Sequence, residues 1–322
     1  MHFDEDDFST AEQFLTELRP TGHLWGDSPE HWCFRGQRDA TWPLTPTLFR
    51  EKAWAAYISP SFADAPDVEF ASVYGEAMLL REFFLYVDQA GLPIPGDQQK
   101  MRTITWWFDR ISDDQPHPSL TDRKDAVRTW PPLDAVPLMA LARHYGLASR
   151  LIDWTWRPMV AAYFAAVGAA AAKEGGAAKE TDRLAVYALN THYVRMRWGD
   201  EDSANPQNTR VRLVTAPRAG NPNMSAQAGI FTLVHGAMKD DSFVNEFGEP
   251  EEVTESWRVV LEGAKPGLRK LTLPLSECGK LLRLVGLEGT DAAAVFPGYQ
   301  GVVEAMNERR FWPGAVRRAN RR

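Results

Sequence analysis

The apolar segments of this chain are short, and their spacing changes repeatedly between the period of a helix and that of a strand. Helices are predicted at residues 9–18, 69–89, 138–145, 158–172 and 276–285. Strands are predicted at residues 31–37, 183–190, 209–215, 229–234 and 268–273. Because these elements do not alternate as βαβ units, the predicted fold class is α+β, with mixed short-strand sheets flanked by helices.

Size and composition agree with a globular chain. The 322 residues are 44% hydrophobic and 25% charged, which provides enough apolar material for a core. We expect a single domain over residues 1–322 rather than two of about 150 residues each. Residues 109–132 are rich in Pro and Asp and are predicted to form an insertion, and residues 309–322 are predicted to form a basic C-terminal tail.

The sequence predicts a cytoplasmic protein. The N-terminus is acidic where a signal peptide would be basic and then apolar, and no apolar run approaches the ~18 residues of a membrane span. Two cysteines, Cys33 and Cys278, are too few for a disulfide framework or for most zinc sites, so no metal is predicted. We expect Cys33 to be a small buried apolar residue.

The net charge of the chain limits the kinds of partner that we expect. The net charge of −7 argues against a generally basic nucleic-acid binder. The Arg-rich C-terminus leaves a nucleic-acid contact open, although a solvated tail is the commoner role for such a cluster.

The first candidate site segment is Phe34-Arg35-Gly36-Gln37, at the end of a predicted strand. A guanidinium there can form two parallel hydrogen bonds with a phosphate or carboxylate. Gly36 would let a ligand approach the backbone closely. In the structural alternative, Arg35 pairs with an internal aspartate and Gly36 makes a turn.

The second segment, residues 143–155, combines Arg, His, Asp and aromatic side chains around a predicted helix end at Gly146. His144 and Arg150 flank this helix end, so both are expected near a loop. The density of such residues indicates a site. The alternative is that His144 is a satisfied polar group at a helix end.

Asp153 is the acidic residue of this second segment. Its position between Ile152 and Trp154 predicts partial burial, and a buried carboxylate needs a cationic partner. Arg35, Arg150 and Arg157 are the candidate partners. In the structural alternative, this ion pair only shapes the loop.

A third candidate is Gln227, which precedes a strand predicted to begin at Gly229. A side chain at that position can reach out from the end of a sheet. The alternative is a turn residue that is hydrogen-bonded to the backbone.

Several of these motifs, in the same order, resemble the bacterial FRG-domain family. The resemblance covers about residues 9–310 and is carried by Phe34-Arg35-Gly36-Gln37, residues 42–50, His144-Tyr145-Gly146-Leu147, residues 149–155, Pro158, Ala161, Tyr163-Phe164-Ala165, Gln227, Gly229, Phe231-Thr232 and residues 295–301. The departures are mild: Ala148-Ser149 stands where the family usually has Pro-Thr, and Ile152 where it has Leu.

The order of elements is also similar to that of ADP-ribosyltransferases, which implies an ADP-ribosyltransferase-like core. In that resemblance Arg35 holds the diphosphate of NAD and Thr155 shapes the nicotinamide pocket. Gln227 stands where those enzymes have a late acidic residue. A glutamine can bond a ribose hydroxyl, but it cannot offset the charge of an oxocarbenium ion as a carboxylate does.

An acid elsewhere would then have to take that role. Asp153, Glu76 and Glu82 are the candidates. Glu76 lies on the long predicted helix and could face the cleft, but we expect it on the solvated face.

The resemblances define one set of candidate site residues. The candidate catalytic residues are Arg35, His144, Asp153 and Gln227. The candidate NAD-binding residues are Phe34, Gly36, Gln37, Tyr145, Arg150, Trp154, Thr155 and Tyr163, with the nicotinamide stacked on Tyr145, Trp154 or Tyr163.

Three functions remain open at this stage. The first is an enzyme that transfers ADP-ribose from NAD or hydrolyses NAD, which the resemblance would place among bacterial toxins or antiphage effectors with a macromolecular target or the NAD pool as substrate. The second is a module that senses a nucleotide, or contacts a protein, without turnover. The third is a nucleic-acid contact through the basic C-terminus. No membrane partner is expected.

Overall fold

The computed structural model describes residues 3–57, 68–103, 127, 130–198, 211–234 and 267–314, and every structural statement below refers to these. The strands are β1 (Phe3–Asp7), β2 (Trp32–Gln37), β3 (Leu151–Thr155), β4 (Arg183–Asn190), β5 (Val211–Val214), β6 (Gly229–Val234) and β7 (Leu268–Pro274). The α-helices are α1 (Ala11–Leu18), α2 (Val68–Gln89), α3 (Val136–His144), α4 (Pro158–Glu174), α5 (Thr191–Trp198), α6 (Pro222–Gln227), α7 (Cys278–Leu287), α8 (Ala292–Val295) and α9 (Tyr299–Glu308).

The described strands form one mixed sheet in the order β1-β7-β4-β2-β3-β6-β5, in which β1 and β7 are parallel and the other neighbours are antiparallel. Six Cα pairs join β2 to β4, and five join β3 to β6. In contrast, β2 and β3 share the single pair Phe34 and Thr155. The sheet therefore consists of two halves that part beyond one point of contact. This architecture confirms the predicted α+β class.

Helices cover one face of the half formed by β1, β7, β4 and β2. Helices α1, α4 and α7 pack there around an apolar cluster that includes Phe14, Leu18, Phe34, Val186, Leu271 and Leu281. Burial of these large side chains, at roughly 25 cal/mol per Å² of apolar surface, is the main force that holds the helices on the sheet.

The half formed by β3, β6 and β5 is covered by α2 and α3. Their shared cluster includes Phe70, Val73, Leu80, Phe84, Leu138, Met139, Leu151 and Phe231. A third cluster lies on the opposite side of the central strands and includes Cys33, Leu44, Ile152, Trp154, Tyr187 and Ile230. The burial of Cys33 confirms its expected role as a small apolar residue, and burial also raises the pKa of its thiol.

The predicted elements are confirmed within a few residues where the structure describes them, but six further helices and strands are not among them. These are β1, β3, α5, α6, α8 and α9. Four of the five residues of β1 are acidic, which is unusual for a strand. The strand is stabilised by β7 beside it, where Arg269 pairs with Asp6 at 3.1 Å and Lys270 pairs with Glu5 at 2.8 Å.

The predicted insertion and tail lie largely outside the described residues, because 109–126, 128–129 and 315–322 are not described. The beginning of the tail is described: Arg309 and Arg310 lie in the 3-10 helix Arg309–Phe311, and Arg310 pairs with Glu174 at 3.2 Å. Among the described helices, none combines the length and the apolar character needed to cross a membrane.

Candidate functional site

Three arginines gather around Asp153 where β2 and β3 part. Arg35 donates from Nη1 to the backbone carbonyl of Asp153 at 3.0 Å and to its Oδ2 at 3.2 Å. Arg143 donates from Nε to Oδ1 and Oδ2 at 3.1 and 3.0 Å, and from Nη2 to Oδ2. Arg50 lies close enough for its charge to interact with both Arg143 and Asp153. We call Arg35, Arg50, Arg143 and Asp153 the arginine cluster.

The loop between β2 and the 3-10 helix Arg50–Tyr57 holds two of these arginines in place. The hydroxyl of Thr47 accepts from Arg143 Nη1 at 3.0 Å and from the backbone N–H of Ser149 at 3.2 Å. Arg50 donates from Nε to the carbonyl of Thr45 at 2.8 Å. The Pro-rich segment 42–50 is mainly a loop, and its polar groups orient the guanidinium groups.

The charges of the arginine cluster do not balance. Burial alone would raise the pKa of Asp153, but the charges and hydrogen bonds of Arg143 and Arg35 outweigh it and hold that pKa below its usual value. The pKa values of Arg35 and Arg50 are lowered, first by burial and then by the neighbouring arginines, with Asp153 opposing the effect. Arg35 and Arg143 thus bond to one carboxylate, and the charge of Arg50 acts on the same group without a contact of its own, which makes the cluster a candidate anion site.

Gly36 has a packing role that the sequence did not indicate. A Cβ at Gly36 would lie 2.0 Å from the backbone carbonyl oxygen of Ala161 in α4. The space beside this glycine is therefore occupied by the helix. The expectation that Gly36 leaves room for a ligand is therefore wrong, because the absence of a side chain at Gly36 lets α4 approach β2. The side chain of the next residue, Gln37, is buried.

His144 and Tyr145 lie at the end of α3, beside the arginine cluster. His144 is half-buried, and burial lowers its pKa while the charge of Asp153 partly opposes this shift. Tyr145 is 64% exposed, and its hydroxyl donates to Oδ1 of Asn221 at 3.0 Å. The two rings meet edge to face, with centroids 5.2 Å apart. Tyr145 is thus an accessible aromatic ring near the cluster.

Gln227 lies at the other end of β3. The hydroxyl of Thr155 donates to the backbone carbonyl of Gln227 and accepts from the N–H of Arg157 at 3.0 Å. The side-chain amide of Gln227 donates to the carbonyl of Val295 in α8 at 3.4 Å. Its hydrogen bonds therefore point to α8, and Thr155 is occupied in joining β3 to the end of α6.

The structure corrects the expectation for Glu76. It is buried rather than solvated, and its carboxylate accepts from the backbone N–H of Arg150 at 2.8 Å, from Nε of Arg150, and from Nε1 of Trp130 at 2.8 Å. Arg150 has 0% of its surface exposed. The side chain of Arg150 therefore has no exposed surface on which to bind a diphosphate, because it is paired with the carboxylate of Glu76 in the interior.

Three further candidates belong to the core. Trp154 is buried and donates from Nε1 to the hydroxyl of Thr232 at 3.0 Å. Tyr163 is buried and donates to Glu308 at 2.7 Å, and burial together with this carboxylate raises its pKa. Phe34 packs in the apolar cluster between the sheet and helices α1, α4 and α7. None of these three rings has a surface on which a nicotinamide could stack, because the apolar body of each is covered by neighbouring elements.

Glu82 lies apart from the buried groups, on the exposed side of α2. It lines a groove of about 540 Å³ together with Ala56, Tyr57, Tyr74, Met78, Arg81 and Leu85. This groove lies between α2 and the 3-10 helix that begins at Arg50.

Gln37 is the remaining candidate, and its environment is unusual. The side chain is buried at 5% exposure. Its Oε1 and Nε2 have no hydrogen-bond partner within the described part of the chain, and the same is true of Nε of Arg35. Buried polar groups are nearly always paired, so these atoms require an explanation.

The structure brings together Arg35 and Asp153 with His144 beside them, and it does not bring Gln227 into the same contacts. Sequence reasoning missed Arg143, Arg50 and Thr47. A signal for two of them was present, because Arg143 precedes His144 and Arg50 closes the 42–50 segment. The expected ion pair of Asp153 exists with Arg35, whereas Arg157 instead donates to the carbonyl of Ala226 at 2.9 Å.

Comparisons with known proteins give one finding. A family model described as the FRG domain matches residues 30–174. This range begins just before β2 and ends with α4, so it includes every member of the arginine cluster. No curated protein and no solved structure matches the chain.

Proposed function

The chain carries an FRG domain over residues 30–174, and from this premise we propose that it binds a nucleotide through its diphosphate, with NAD as the first candidate. The observation that carries the proposal is that Arg35 and Arg143 both bond to the carboxylate of Asp153, while Arg50 adds a third positive charge that acts on the same group. Guanidinium groups bind phosphate oxygens in pairs of parallel hydrogen bonds. A bound anion would neutralise the positive charge of these arginines that Asp153 leaves unbalanced.

The geometry favours binding over turnover. ADP-ribosyl transfer passes through a cationic ribosyl group, which an enzyme stabilises with an available negative charge. Asp153 is engaged by two guanidinium groups, and Glu76 is engaged by Arg150 and Trp130. We therefore assign the site first to recognition of a nucleotide, which was the alternative to an ADP-ribosyltransferase-like or NAD-hydrolysing enzyme.

The test is calorimetry on the full chain with NAD, ADP-ribose and inorganic pyrophosphate. We expect millimolar or tighter binding of all three, and a fall in affinity of about tenfold in Arg50→Gln, since a hydrogen bond to a charged group contributes about 1.5 kcal/mol. Arg50 has no carboxylate contact of its own within 4 Å among the described ion pairs, so its removal leaves Asp153 paired.

Arg283→Gln is the matched control, because this arginine is exposed on α7. It should bind like the wild type. Absence of binding to all three probes, or equal affinities in Arg50→Gln and the wild type, would overturn the proposal.

Nicotinamide release measured in the same samples separates the two functions. Binding without release supports a sensing module. Release that disappears in Arg35→Gln would instead establish turnover of NAD. A role as a toxin or antiphage effector is a further proposal that rests on the resemblance, and it predicts that expression slows bacterial growth unless Arg35 is replaced.

A further inference from the structure

The unpaired carboxamide of Gln37 is the starting point. Both of its polar atoms are shielded from solvent and lack a partner in the described residues. Burying a carboxamide in this way costs free energy, which a folded protein tolerates where the group has another use. The Nε of Arg35 is in the same condition.

Gln37 and Arg35 lie on the same face of β2, because side chains alternate along a strand. On β4, Arg35 is paired with Tyr187 and Gln37 with Ala185. Two residues along a strand cover about 7 Å. The unpaired atoms of the two side chains therefore form a polar row that leads from the arginine cluster along β2.

The loop after β2 lies over this row. The hydroxyl of Tyr187 donates to the carbonyl of Trp42 at 3.4 Å, and Leu44 packs in the same cluster as Ala185. The side chain of Arg35 keeps 15% of its surface exposed. The carboxamide of Gln37 thus lies beneath this loop, two positions along β2 from Arg35.

A glutamine carboxamide presents one acceptor beside one donor. It pairs with a planar edge that offers a donor beside an acceptor, as adenine does at N6 and N7. The carboxamide of a nicotinamide ring has the same complementary pair. The adenine edge and the nicotinamide carboxamide therefore offer Gln37 the same pair of hydrogen bonds, and a binding experiment can show which of them is recognised.

We propose that Gln37 determines specificity by pairing through Oε1 and Nε2 with such a donor–acceptor edge, in a ligand whose phosphate binds the arginine cluster. The inference rests on the proposed nucleotide-binding function. It adds that the ligand is selected by its base or amide, and not by its phosphate alone. Gln37 is thus a recognition residue with no role in bond breaking.

The test compares three phosphate esters on the full chain: AMP, nicotinamide mononucleotide and ribose 5-phosphate. We expect the wild type to bind AMP or nicotinamide mononucleotide at least tenfold more tightly than ribose 5-phosphate. In Gln37→Leu the affinities for the preferred ester and for ribose 5-phosphate should become about equal, and the affinity for ribose 5-phosphate should not change. The ester whose affinity falls identifies the edge as adenine or nicotinamide.

Two further variants keep the test specific. Gln37→Glu keeps the size of the side chain but offers no amide donor, so it should also lose the preference. Gln13→Leu, at an exposed glutamine of α1, should keep it. Gln37→Leu should unfold at the same temperature as the wild type or higher, because an apolar side chain leaves no unpaired polar atoms.

The outcomes distinguish this inference from the function on which it rests. If the wild type binds ribose 5-phosphate and pyrophosphate but shows no preference, or if Gln37→Leu keeps the preference, the role of Gln37 is overturned while anion binding stands. If the wild type binds neither pyrophosphate nor any of the three esters, both proposals fail.

Discussion

The guanidinium of Arg143 straddles the carboxylate of Asp153, with Nε 3.1 Å from Oδ1 and 3.0 Å from Oδ2. This contact ties the end of α3 to β3. Arg35 completes the pairing from β2, so that one carboxylate joins both halves of the sheet where their backbones part. The stability of the fold and the affinity for an anion therefore both depend on Asp153. Removal of its charge should lower the stability and raise the affinity.

Asp153→Asn should weaken the fold and strengthen anion binding. Loss of charged hydrogen bonds by a carboxylate that is 36% exposed should lower the free energy of unfolding by about 2 kcal/mol. The uncompensated arginines should bind pyrophosphate several-fold more tightly, with a steeper salt dependence. Urea unfolding and calorimetry measure the two effects. Asp27→Asn, at an exposed aspartate, is the control. Weaker pyrophosphate binding by folded Asp153→Asn would contradict this account.

The contribution of Asp153 to stability should depend on pH. Its pKa in the folded protein is lowered below the value of about 3.9 for an unfolded chain. Its stabilising effect is therefore complete at neutral pH and is lost as the pH falls through the lowered folded pKa. The difference in unfolding free energy between the wild type and Asp153→Asn should shrink as the pH falls below about 4. A difference that stays constant from pH 7 to the lowest pH at which both proteins are folded would refute this.

Gly36→Ala should destabilise the protein through packing. The added Cβ would meet the Ala161 carbonyl at 2.0 Å, so α4 must move away from β2. Such overpacking costs about 1–3 kcal/mol. Gly175→Ala is the control, because the nearest atom to its Cβ is 3.4 Å away, and its effect should be within about 1 kcal/mol. Unchanged stability combined with lost ligand binding would return Gly36 to a ligand-contact role.

The buried pair of Glu76 and Arg150 should behave as a structural unit. Glu76→Leu leaves a fully buried guanidinium without its carboxylate and should cost about 3–5 kcal/mol. Adding Arg150→Met should restore part of that loss, because an apolar pair replaces the ion pair while the backbone N–H of residue 150 and Nε1 of Trp130 still lose the acceptor that Glu76 provides. The double variant should bind pyrophosphate like the wild type. Urea unfolding provides the energies.

Glu82→Leu is the control for this cycle, since Glu82 is exposed on the same helix. It should change stability by no more than about 0.5 kcal/mol. Equal losses in Glu76→Leu and the double variant would show that Arg150 is stabilised by something other than Glu76.

The local periodicity of the sequence was enough to predict most helices and strands. Apolar spacing located α2 and α4, and a strand pattern located β2 and β4. The acidic strand β1 was missed, because its stability depends on Arg269 and Lys270 of β7, which are distant in the sequence. A local pattern carries no information about such a partner.

The sequence by itself determined that Arg35 and Asp153 lie in apolar segments where their charges need partners. Only the tertiary structure decided the pairing. Asp153 pairs with Arg35 across 118 positions and with Arg143, whereas Arg150 pairs with Glu76 across 74 positions. The physical reason is that strand register and helix packing choose among several chemically equivalent arginines. The same packing places Trp154 and Tyr163 in the core and leaves the buried carboxamide of Gln37 without a hydrogen-bond partner in the described part of the chain.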